Sequence, residues 1–157
     1  MSIITNLKTL YEIDDVQWLE DTIKLLKERQ FEALDLDNLI EELEDLGSEK
    51  RNAVVSLLEQ VIRHLLLLEY WTIEREQNLG HWESEIISFR TQLRRKLTTN
   101  LRNYLTEELL SIYQDALLFV QRKTSFKVNF PETCPYSLEQ LLDIDYGLKK
   151  RKLDKNS

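Results

Sequence analysis

Val54 to Trp71 reads VVSLLEQVIRHLLLLEYW, the most apolar run in the chain. Val54, Leu57, Leu58, Val61, Ile62, Leu65 and Leu68 recur at helical spacing, and Leu66 and Leu67 extend the apolar surface nearly all the way round. A helix apolar on most sides must be covered on most sides. Glu59, Gln60, Arg63, His64 and Glu69 interrupt the run, so it falls short of the roughly 20 apolar residues that span a bilayer. It is therefore expected to be the central helix, near 49–70, of an all-α bundle. At 157 residues, the chain is long enough for one domain to bury a core without disulfides or a metal. That domain is expected over 1–146, with a basic tail at 147–157. Three glycines and two prolines leave few turns, which favours long helices over sandwiches, barrels or Rossmann folds.

The other helices follow from stripes and caps. An extended lead-in is expected to about residue 13, with a helical turn near Leu7 to Tyr11. Asp14 or Asp15 can cap a first main helix that carries Val16, Leu19, Ile23 and Leu26, with Trp18, Thr22 and Leu25 in an adjacent row. It should end near Gln30. Asp35 can cap a second helix with the stripe Leu36, Leu39, Ile40, Leu43 and Leu46. Gly47 stands where a helix C-terminus wants a left-handed residue, so an antiparallel hairpin into the central helix is expected there. Residues 72–80, TIEREQNLG, read as a connector. A fourth helix is expected over about His81 to Asn100, on Trp82, Ile86, Phe89, Leu93 and Leu97. A fifth carries Leu105, Leu109, Ile112, Ala116, Phe119 and Val120 and fades near Lys123. Both prolines fall in 124–136, and Ser137 with Gln140 is a capping-box signature for a short helix, Leu138 to Leu142.

Charge and cysteine content narrow the function classes. Residues 1–50 hold 14 Asp/Glu against 5 Lys/Arg, a balance of -9, within a net charge of -7. An acidic first third repels nucleic acid and membrane surfaces. Cys134 is the single cysteine, which excludes an intramolecular disulfide and a thiolate zinc site and points to a reducing, cytoplasmic setting. MSIITNLKTLYEIDD has neither a basic n-region nor a long apolar core, so no signal peptide is expected.

Motifs that carry chemistry are absent: no glycine-rich phosphate loop, HExxH, GxSxG, CxxC or EF-hand. A di-iron bundle needs a Glu three residues before a His, but Val61 precedes His64 and Asn78 precedes His81. No cofactor or metal is expected. What remains is a set of polar residues at the rims of the apolar stripes: Glu42, His64, Arg90 and Tyr113, with Asp14 at the first helix start. As a structural cluster they fix helix register, a carboxylate meeting the semi-buried Arg90. As a pocket, His64 is the base or ligand, Glu42 its orienter and Arg90 an anion clamp.

The sequence also resembles a bacterial family, the domain of unknown function numbered twenty-nine. The matching pieces are Tyr11-Glu12, Asp14 and Trp18, Leu34-Asp35, Asn38-Leu39-Ile40-Glu41-Glu42-Leu43 and Leu46-Gly47. They continue through His64-Leu65-Leu66, His81-Trp82, Arg90, Phe130-Pro131 and Cys134-Pro135-Tyr136, covering about 8–146. The resemblance implies an all-helical fold and no activity. Asp14, Glu42, His64 and Arg90 belong to the family's pattern. Leu67 departs from it, standing where the family often has a basic residue.

These readings point to a small soluble, non-enzymatic helical accessory protein that binds a protein partner or itself. An enzyme or small-ligand protein with a pocket around Glu42, His64 and Arg90 is one alternative. A nucleic-acid-associated protein using Arg94–Lys96 and the tail Lys149-Lys150-Arg151-Lys152 is another.

Overall fold

A computed structural model describes residues 6–148. Among these residues the fold is all-α: α1 (Leu7–Ile13), α2 (Asp15–Lys27), α3 (Leu36–Tyr70), α4 (Thr72–Lys96), α5 (Thr99–Lys123) and α6 (Leu138–Leu142), with a 3-10 turn at Phe31–Ala33. No described helix is long and apolar enough to cross a membrane. The chain divides into two compact units, Met1–Lys50 and Arg51–Ser157, and α3 belongs in part to each. The basic tail from Lys149 onwards lies outside the described residues.

The expected break at Gly47 does not occur. α3 runs unbroken for 35 residues through Gly47 and Ser48, so the anticipated hairpin is absent. Glycine inside a helix costs only about 1 kcal/mol relative to alanine, which the many backbone hydrogen bonds of a long helix outweigh. The connector expected at 72–80 is likewise helical, since α4 starts at Thr72 directly after Trp71. The true break before α5 is at Thr98, whose hydroxyl caps the new helix by accepting from the Leu101 amide.

In the second unit, the apolar run of α3 lies at the centre. Val54, Leu58, Val61, Ile62 and Leu66 are completely buried, with Leu65, Leu67 and Leu68 nearly so. Around them stand Trp82, Ile86 and Leu93 of α4 and Leu105, Ile112 and Val120 of α5. α6 has only five residues, too short to persist alone. It is held by its buried Leu138, Leu141 and Leu142 and by a complete Ser137/Gln140 capping box.

The first unit is built differently. Among its described residues only Trp18, Thr22 and Asp35 are buried. On α2 the row Trp18, Thr22 and Leu25 turns inward, while Val16, Leu19, Ile23 and Leu26 are exposed. At 100° per residue the two rows are roughly 115° apart. The opening stripe of α3 is also open: Leu36, Ile40, Leu43 and Leu46 are 47–60% exposed. A polar node closes the inside of this unit. Asp35 accepts from the Trp18 indole N–H at 3.3 Å and from the Asn38 side-chain amide at 2.6 Å.

Candidate functional site

The five polar residues singled out from the sequence each find a separate partner. Asp14 has the extended backbone of an N-cap and accepts from the Gln17 amide at 3.0 Å, which satisfies one orphan donor of α2. Glu42 accepts from the Tyr11 hydroxyl at 2.6 Å. That bond, with the surrounding negative charge, pushes the Tyr11 phenol up to about 12. Tyr11 also meets Trp18 edge-on at 5.0 Å, so Glu42 serves to fasten α1 within the first unit.

Arg90 is fully buried on α4, but no carboxylate meets it. Its guanidinium donates to four backbone carbonyls: Leu141 at 2.8 Å, Tyr146 at 2.7 Å, Gln140 at 3.2 Å and Ile144 at 3.3 Å. These are the orphan acceptors at the end of α6 and in the turn that follows. Burial pulls the guanidinium down to about 10, still charged at neutral pH. Arg90 is thus a cap for the C-terminal segment, and its donors are not available to clamp an anion. Tyr113 is buried too and donates to the Pro131 carbonyl, tying α5 to the proline segment, with its phenol raised to about 12 by burial. Cys134 donates weakly to the Tyr136 carbonyl at 3.3 Å, and burial raises its thiol, the opposite of what a reactive cysteine needs.

His64 is the member of the set that faces a cavity. Its Nδ1 lies 2.7 Å from the Gln60 carbonyl one turn back, so Nδ1–H is the donor and Nε2 carries the free lone pair. Burial lowers its pKa and keeps the ring neutral. Phe89 covers one side at 5.5 Å. The pocket holds about 400 Å³, is open to solvent and lies wholly within the second unit. α3 lines it with Gln60, Arg63, His64 and Leu67, one helical face continuing to Trp71. α4 adds Glu74, Asn78, His81 and Trp82, and α5 adds Phe119 and Lys123.

Both histidines of the chain therefore meet at one pocket. Sequence reasoning placed His81 at the start of a helix, away from any site. The signal was present in the 74, 78 and 81 spacing, which puts Glu74, Asn78 and His81 on one face once 72–80 is helical. Trp71 and Trp82 stack at 6.0 Å with planes 19° apart and give the pocket an aromatic side. Arg63 is tied to Glu59 at 3.1 Å and lies 3.7 Å over the Phe119 ring. Its Nε is buried with no acceptor. Lys123 makes no ion pair among the described residues. No group of three His, Cys, Asp or Glu side chains able to hold a metal ion occurs among the described residues.

No curated protein and no solved structure matches this chain. The family suggested by the order and spacing of the sequence pieces is matched over most of the chain: a family model matches residues 10–147, and the chain belongs to the family described as Domain of unknown function DUF29.

Proposed function

We propose that this chain is a small cytoplasmic interaction protein, without catalysis of its own, that binds a partner through the first unit. The observation that carries this reading is the exposure of apolar stripes on α2 and on the start of α3. Ten of the sixteen exposed large hydrophobic side chains lie among residues 6–50, fewer than a third of the described residues. Fully burying one Leu or Ile contributes about 1.5–3 kcal/mol, so a stripe left open is a large reserve of binding energy.

The occupant that fits is a cationic amphipathic helix of another protein. Leu36, Ile40, Leu43 and Gly47 form one face about 16 Å long. Asp37, Glu41 and Glu44 flank it, within a unit whose balance is -9. A partner helix with apolar anchors and Lys/Arg flanks matches both features. A second copy would bring -9 against -9, which opposes association. The acidic unit also weighs against nucleic acid, and Arg94, Arg95 and Lys96 have an ordinary role in the last turn of α4, where cations suit the helix dipole.

The test is calorimetric titration of the purified chain with a Lys/Arg-rich amphipathic helical peptide. A Glu-rich peptide with the same apolar pattern is the control. Binding of the basic peptide, weakened at least tenfold by the charge-neutral double change Ile40→Ser with Leu43→Ser, is expected. No binding, equal binding of the acidic peptide, or binding that ignores the double change overturns the reading. So does a homodimer in light scattering that the same change dissociates.

A further inference from the structure

The pocket between α3, α4 and α5 has no part in that docking reading, and its chemistry is different. One side of it is apolar, formed by Trp71 stacked on the buried Trp82. Its cationic groups are Arg63 and Lys123, and its only lining carboxylate is Glu74. Lys123 stands 5.9 Å from the Phe119 ring that Arg63 also covers, so the two cations gather on one side chain without a carboxylate for Lys123. Arg63 is already held by Glu59 at 3.1 Å and lies over the Phe119 ring, which leaves Lys123 as the lining cation with no carboxylate of its own among the described residues. The neutral His64 contributes the complementary group, an Nε2 acceptor. A volume of about 400 Å³ is that of a small-molecule site.

We propose that this pocket binds a small planar aromatic carboxylic acid. The ring lies against Trp71, the half-buried member of the indole pair, where an aromatic contact is favourable. The carboxylate goes to Lys123, where it makes a charge-assisted hydrogen bond beside the Arg63 guanidinium. A ring N–H or hydroxyl on the ligand donates to His64 Nε2. Two sides of opposite character, one aromatic and one cationic, select against plain anions and plain arenes alike.

Because the chain has two histidines, its imidazole nitrogen spectrum contains two sets of signals. Indole-3-carboxylate is titrated into the full-length protein while these are followed by NMR. Saturable movement of the His64 signals is expected, with indole-3-carboxamide and acetate each at least tenfold weaker. Lys123→Gln, an exposed and structurally mild change, should weaken the carboxylate at least tenfold while leaving the spectrum of the free protein in place. Absence of saturable movement, equal affinity for the amide, or an unchanged affinity in Lys123→Gln overturns the proposal. The Ile40→Ser, Leu43→Ser protein should bind the acid normally, which separates this result from the fate of the docking face.

Discussion

At the scale of single residues, the polar groups of this protein act mainly as fasteners, and their removal should be read in stability. Arg90 is the clearest case. Arg90→Ala leaves four carbonyls at the end of α6 without their donor. Breaking a buried charged network of this kind costs about 3–5 kcal/mol. Urea unfolding should show that loss, and Arg90→Lys should recover only part of it, because an ammonium cannot reproduce the planar fork. A loss below about 1 kcal/mol would mean that the carbonyls find water instead. His64 gives a pH-dependent test. Burial holds its folded pKa below the ordinary 6.5, so the unfolded chain takes up a proton first on acidification. Its stabilising contribution is thus complete above pH 6.5 and is lost as pH falls from there through the folded pKa. His64→Asn keeps a donor for the Gln60 carbonyl and cannot titrate. The fall in urea midpoint between about pH 7.5 and pH 5 should be shallower in that variant. Parallel curves would show that the ring titrates alike in the folded and the unfolded chain. Asp14 and the Ser137/Gln140 box were legible in the sequence because a cap is a local bond spanning three residues. The partners of Arg90 were not, since they lie 50–56 residues away and are backbone carbonyls that any sequence supplies.

At the scale of elements, apolar periodicity located the helical segments, while glycine misled their boundaries. Gly47 and Gly80 both sit inside helices, and an added Cβ at either meets nothing within 4 Å. Their helical backbone suits alanine as well as glycine. Gly47→Ala and Gly80→Ala should each raise stability by about 0.5–1 kcal/mol in urea unfolding, through helix propensity and a less flexible unfolded chain. Gly147 should behave in the opposite way. Its φ is 82°, and a Cβ there would stand 2.7 Å from Leu65 Cδ2. Gly147→Ala is therefore expected to destabilise, against α3 and against its own backbone preference. Three identical residues with two expected signs show why a breaker rule fails: the cost of glycine is small and context decides where it is spent. The stripe on α2 shows a related limit. Val16, Leu19, Ile23 and Leu26 are the more regular row, yet the row with Trp18 is the one buried. Periodicity shows that a face is apolar, but not which chain covers it.

At the scale of the whole molecule, apolar burial is divided unevenly between the two units. The second contains the continuous core around the 54–68 stretch of α3, whereas among its described residues the first buries one large apolar side chain, Trp18, beside Thr22 and Asp35. A unit of about 50 residues is marginal even with a full core. Trp18, its bond to Asp35 and the Tyr11–Glu42 bond have to offset the ordering of three helical segments. Local stability should therefore be stepped rather than uniform. In the free protein, amides of α1 and α2 should exchange with solvent at least a hundredfold faster than those of Val61, Ile62 and Leu66, as followed by hydrogen-exchange mass spectrometry or NMR. A bound cationic helix should then slow exchange in α2 and across 36–46, where the open stripes lie, and leave 54–68 unchanged because that stretch is already limited by global unfolding. Equal protection of both units in the free protein would show that the first unit is stabilised by something other than its sparse interior. Slowing confined to the second unit would place the partner elsewhere. The exposed stripes were visible in the sequence as ordinary amphipathic faces; only the comparison of what each unit buries turns them into surfaces in need of a cover.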